Sequence, residues 1–149
     1  MRKVFTLVIL IAAIVGCNPQ VPQTEPPSTL ELMLYMERFS DKMFFAAQAE
    51  NWELADVYAH EMEELAEELE EGGYVAHDIP LADLAGTFGP AVDAVADAID
   101  DENYERFLAG YTALTATCNA CHAAVGYEPV RIIVPESSDH PYPGQQFTP

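Results

Sequence analysis

The chain has 149 residues, half of them apolar, which suits one domain with a single packed core and excludes wholesale disorder. It carries 25 acidic against 6 basic side chains, a formal net charge of −19. A surface of that sign repels nucleic acid and anionic lipid and attracts basic partners; it would equally suit a saline habitat.

Residues 1–17 read MRKVFTLVILIAAIVGC. Arg2 and Lys3 precede an apolar run, Val4 to Val15, that is too short and wrongly flanked for a spanning helix. The run ends in Ile14-Val15-Gly16-Cys17, which is similar to the bacterial lipobox, where a small residue precedes the cysteine that is diacylated. Residues 1–16 are therefore expected to be a lipoprotein signal peptide and Cys17 the lipidated N-terminus, with an ordinary secretory peptide and an incidental Cys17 as the plainer alternative. Loss of Arg2 and Lys3 would take the formal charge to −21. Two or three acyl chains hold a protein firmly to a membrane, so the mature chain is expected to be exported and anchored on the periplasmic or cell-surface side of a bacterial membrane. Residues 17–28 are rich in Pro, Gln and Thr and read as a flexible tether.

Ser28 or Thr29 is placed to cap a first helix running to about Glu50, with Leu32, Met36, Phe39, Met43 and Ala46 at helical spacing. Asn51 caps a second, which carries Trp52 in its first turn, a stripe of Ala55, Tyr58, Met62, Leu65 and Leu69, and Gly72-Gly73 as its stop. A third starts near Pro90, a favoured first-turn residue, and presents Val92, Val95 and Ile99. Asp100 to Asn103 break and recap the chain. The fourth helix then carries Tyr104, Phe107, Leu108, Tyr111, Leu114, Cys118, Cys121, His122 and Val125. No segment has a convincing strand alternation. The expected fold is all-α: an antiparallel four-helix bundle over residues 29–126, with a long loop (72–89) between helices 2 and 3 and an extended proline-rich tail over 127–149. In an up-down-up-down bundle the long loop, the start of helix 1 and the tail gather at one end, around Cys118 to His122.

Cys118-Asn119-Ala120-Cys121-His122 is CxxCH, the attachment signature of c-type haem. On a helix the two thiols lie nearly one turn apart, within reach of the two vinyl groups of one haem. The histidine that follows is aimed at the iron from the same side. Three plainer readings compete. A redox dithiol usually opens a helix after a strand, and none is visible here. A disulfide at this spacing inside a helix has poor geometry. A zinc site lacks a second ligand pair at suitable spacing.

With CxxCH near the end of the last of four helices, residues 29–126 resemble the class II cytochromes, the cytochrome c′-like four-helix bundles. The chain also looks like a set of small bacterial cytochromes sharing Asn51-Trp52-x-Leu54-Ala55-Asp56, the CNACH stretch, Gly126-Tyr127 and a proline-rich tail ending near Gln146-Phe147. The resemblance implies one covalently bound haem c held by Cys118 and Cys121, with His122 as proximal iron ligand. Ordinary cytochromes c′ end soon after the motif, so the tail puts their open sixth coordination site in doubt here. In an antiparallel pair helix 1 faces His122 near Leu32 to Met36, which makes Met36 the first candidate for sixth ligand and Met33 the next. Core filling is the plainer role of a methionine at helical spacing. His77, in the long loop, and His140, in the tail, are further candidates, and an empty site stays open. His60 shares its face with Glu53, Asp56, Glu63 and Glu64 and reads as solvated. Arg131 is placed to pair with a haem propionate.

Seven glutamates from Glu61 to Glu71 crowd the second half of helix 2, either as a solvated face or as a docking surface. No acid–base pair or nucleophile stands out, so no enzymatic activity is expected. The leading expectation is one-electron transfer, with the acidic surface steering a redox partner that has a basic docking surface. A gas-binding protein (NO or CO) with an open sixth site is the first alternative, and a haem-bearing subunit docked to a larger complex by its tail is the second. Nucleic acid is not expected as a partner. The oligomeric state stays open, with a homodimer among the options.

Overall fold

The computed structural model describes residues 27–136 and 140–149. The expected signal peptide (1–16), the lipidation of Cys17 and all but the last two residues of the tether lie outside them. The described chain is all-α apart from one small ladder: α1 (Thr29–Gln48), α2 (Trp52–Glu71), β1 (Val75–Ala76), β2 (Ile79–Pro80), α3 (Ala82–Ala85), α4 (Phe88–Asp100) and α5 (Tyr104–Ala124). Among the described residues no helix is long and apolar enough to cross a membrane.

The helices start where side chains cap them. Ser28 accepts from the Glu31 amide while the Glu31 carboxylate accepts from the Ser28 amide, a reciprocal box at the head of α1. Asn51 accepts from the Leu54 amide at 3.2 Å and Asn103 from the Arg106 amide at 3.0 Å, which opens α2 and α5. The α1–α2 and α4–α5 joints are built alike. Glu50 and Glu102 adopt positive φ (56° and 49°), and Asn51 and Asn103 donate back to the Ala46 and Ala98 carbonyls at 2.9 and 3.0 Å. Each asparagine therefore closes one helix and caps the next.

Two expectations need correction. The 72–89 loop is not structureless: β1 and β2 form an antiparallel hairpin whose central residues, His77 and Asp78, both have positive φ, and α3 follows. These elements are too short for periodicity to reveal. Helix α4 begins at Phe88 rather than near Pro90, and Phe88 is itself buried.

α1 packs chiefly on α2, α2 also on α4, and α4 on α5, whereas α1 and α5 approach closely only over a short stretch. There the Ser40 hydroxyl donates to the Tyr111 hydroxyl at 2.9 Å, and Phe44 lies against both Tyr111 and Phe107. The expected stripes are the core: Leu32, Met36, Met43, Tyr58, Met62, Val92, Val95, Ile99, Phe107, Tyr111 and Leu114 are all buried. Phe39, Leu65 and Tyr104 are half-buried beside them, and Leu108 stands exposed on α5.

The tail is not a free extension. Phe147 is buried against Phe45 and His140, the Gln145 amide donates to the Tyr58 hydroxyl, and Lys42 sits between the Tyr58 and Tyr142 rings. The last residues thus cover α1 and α2.

Candidate functional site

Three contacts gather one end of the molecule around the CxxCH stretch. The Thr29 hydroxyl donates to the Val75 carbonyl, tying the head of α1 to the hairpin. His77 in the hairpin turn bonds the Val125 carbonyl through Nδ1 at 2.8 Å and stacks on Tyr127. Helix α5 then ends with Gly126 at positive φ (78°), the Tyr127 amide donating to the His122 carbonyl at 2.7 Å and the Gly126 amide to that of Ala123 at 3.2 Å. This double bond satisfies the last carbonyls of the helix and reverses the chain. An alanine at 126 would be strained by the left-handed backbone, and its Cβ would meet the His77 ring.

The reversed chain runs back beside α5. The Asn119 side chain bonds Ile132 twice, accepting from its amide and donating to its carbonyl, both at 2.8 Å. His122 Nδ1 meets the Val130 carbonyl at 2.9 Å. A carbonyl only accepts, so Nδ1 carries a proton, and in the neutral ring Nε2 is the basic nitrogen. That is the tautomer in which an imidazole binds a metal through Nε2.

Cys118 and Cys121 are unbridged and half-buried. Burial, followed by the neighbouring Cys121, pushes the Cys118 thiol up to about 11, and burial also raises Cys121. Reactive redox cysteines have depressed values, so the environment is the reverse of a dithiol centre's. Among the described residues no three His, Cys, Asp or Glu side chains converge as they would around a bare ion. A porphyrin takes the same three side chains at separate points, two at its rim and one at its centre. The donor set fits covalent haem: two thiols nearly one turn apart, and a following imidazole whose Nδ1 is already engaged by the Val130 carbonyl.

Opposite α5 the pairing order locates the methionines. Ser40 meets Tyr111 and Phe44 meets Phe107, so the two helices run in opposite directions. Two turns on from that contact, roughly 10 Å along each axis, Met33 comes level with Cys118. Met36 comes level with the turn before it. Met36 is buried and Met33 half-buried.

The other expected residues fall elsewhere. His60 is exposed on α2 beside Glu63 and Glu64, at 3.6 and 3.5 Å. His140 packs edge-on to Phe147 and against Phe45, at the opposite half of α1 from Met33. His77 is engaged at the end of α5. Arg131 is exposed between the two residues that touch His122 and Asn119. Sequence reasoning missed Asn119, Val130 and Ile132. Their contacts are largely to backbone, which residue identity does not display. No protein-family model, curated protein or solved structure matches this chain.

Proposed function

We propose that the chain is a monohaem c-type cytochrome of the class II kind, an antiparallel four-helix bundle anchored to a bacterial membrane through lipidated Cys17, that carries single electrons. The observation that carries this reading is His122: it follows Cys118 and Cys121 on α5 and engages the Val130 carbonyl through Nδ1, which leaves Nε2 as the nitrogen free to face a metal. A bound haem would supply the one-electron ferric–ferrous couple. The protein's part is to hold and enclose it. Cys118 and Cys121 tie it to α5, His122 offers Nε2 to the iron, and the aromatic contact of Phe44, Phe107 and Tyr111 closes the seam between α1 and α5 above the motif.

Met36, with Met33 next, is proposed as the sixth ligand, a soft donor suited to a carrier whose two oxidation states share one geometry. The burial of Met36 supports this over an open, gas-binding site, and by level Met33 stands nearer the motif. The tail is already packed on its own helices, which gives less support to a role in docking to a larger complex.

The test is the optical spectrum of the purified holoprotein, oxidised and reduced, with a pyridine haemochrome assay. Covalent haem c with sharp low-spin bands is the expected result. High-spin spectra that respond readily to carbon monoxide would overturn electron transfer in favour of gas binding. No covalent haem in a maturation-competent host would overturn the whole reading.

A further inference from the structure

The first segment of the tail does more than cover surface, because it meets the one helical turn that bears the motif at two places. Val130 reaches His122 with its carbonyl, and Ile132, two residues on, engages Asn119 through both its amide and its carbonyl. A single carbonyl contact to a half-buried ring would exchange with water at little cost, since a neutral hydrogen bond contributes only about 1 kcal/mol net. A paired side-chain amide is different, since it fixes both the distance and the register of the strand it holds. A slip of one residue would turn the Val130 carbonyl away from the ring. The Schellman turn at Gly126 holds the other end, so the segment 127–132 is pinned on both sides of the carbonyl that matters.

We propose that Asn119 is a positioning residue for the iron ligand: by clamping Ile132 it sets the Val130 carbonyl against His122 Nδ1, which fixes the tautomer and orientation of the ring and tunes the iron potential. This rests on the haem reading, and it assigns work to a motif position that attachment itself leaves free. An imidazole that donates through Nδ1 is the more basic at Nε2, and a more basic ligand favours ferric over ferrous iron. Loss of the clamp raises the reduction potential.

Two variants break the clamp from opposite sides. Asn119→Ala removes the side chain, and Ile132→Pro removes the amide that donates to it without touching α5 or the haem motif. In the cofactor-free protein, nitrogen NMR of His122 reads the tautomer: Nδ1–H in the parent, with a shift towards Nε2–H in either variant. In the holoprotein each variant should attach haem normally and lose ferric preference about tenfold, a rise of about 59 mV. The double variant should shift no further than either alone, because both remove one interaction. Unchanged tautomer in both variants would overturn the clamp, and so would unchanged potentials in haem-loaded variants. A parent that takes no haem would instead overturn the haem reading, while the cofactor-free NMR still reports whether the clamp exists.

Discussion

Replacing Met36 by alanine removes a buried thioether and leaves a hole together, so the two consequences need separating. Methionine-to-alanine changes at buried sites cost about 2–5 kcal/mol, whereas a leucine of nearly equal volume costs less than about 1.5 kcal/mol. Met36→Leu should therefore remove the sulfur-to-iron absorption band while the urea midpoint barely moves. Met33→Leu is the matched comparison. If the band survives at 36 and disappears at 33, the nearer level of Met33 to Cys118 decides the ligand; survival in both assigns the sulfur to neither, and a parent without the band has no thioether ligand. Asp41 offers a second residue-scale test. Burial, then Glu37, raises its carboxyl pKa, against the Tyr142 hydroxyl, which lowers it. A raised folded value favours the protonated form, so this contribution to stability is present below the ordinary aspartate value of 3.8 and is lost as pH rises through the raised value. Asp41→Asn should stabilise the protein at neutral pH by on the order of 0.5 kcal/mol after solvent screening. The gain should vanish in denaturation curves taken below pH 3.8. At this scale the CxxCH string was plain in the sequence, because its residues lie next to one another in the chain. The Val130 carbonyl was invisible, because a backbone acceptor leaves no mark in residue identity.

The helix joints put a cost on two glutamates. Glu50 and Glu102 sit in the left-handed region, which costs an L-residue about 1–2 kcal/mol, and each adds negative charge where a helix already ends negative. Glycine would remove both penalties and give back part of the gain as unfolded-chain entropy. Glu50→Gly and Glu102→Gly should each stabilise the fold by about 1 kcal/mol, additively, since the joints are separate elements. Paired urea curves check the sum. Sequence reasoning recognised the joints through Asn51 and Asn103, which are good caps, but a glutamate in a left-handed turn carries no signal of its own. The four long helices were legible for a simple reason: stripes such as Leu32, Met36, Met43 and Ala46 repeat over several turns. The hairpin at Val75–Pro80 offered two residues a side, and the tail's anchors, His140 and Phe147, are isolated apolar rings among prolines.

Across the whole molecule, the acids are not evenly placed with respect to the motif. His60, Glu63, Glu64, Glu67, Glu70 and Asp93 line an open groove of about 540 Å³ between α2 and α4. Since α1 contacts α2, α2 contacts α4 and α4 contacts α5, this face lies away from the α1–α5 seam that leads to Cys118. A basic partner seated in the groove would meet the wrong side for short-range electron transfer. On the electron-transfer reading, the charge would act as a field that speeds encounter and not as a local dock. Exchange with a small basic cytochrome, followed by stopped flow, should slow steeply as salt is added and the Debye length falls. Substituting Glu63, Glu64, Glu67 and Glu70 by glutamine removes four of the nineteen net negative charges. It should cost no more than about threefold in rate at low salt, a minor share of a steering effect that spans 10–1,000-fold. Neutralising four exposed acids outside α2 and α4 (Glu37, Glu50, Glu102 and Glu105) should cost the same. The groove set should also stabilise the fold by about 1 kcal/mol, because Glu67 and Glu70 oppose the dipole at the C-terminal end of α2. A loss tenfold greater for the groove set than for the remote set would relocate docking to α2 and α4. The electron would then need a route through the core.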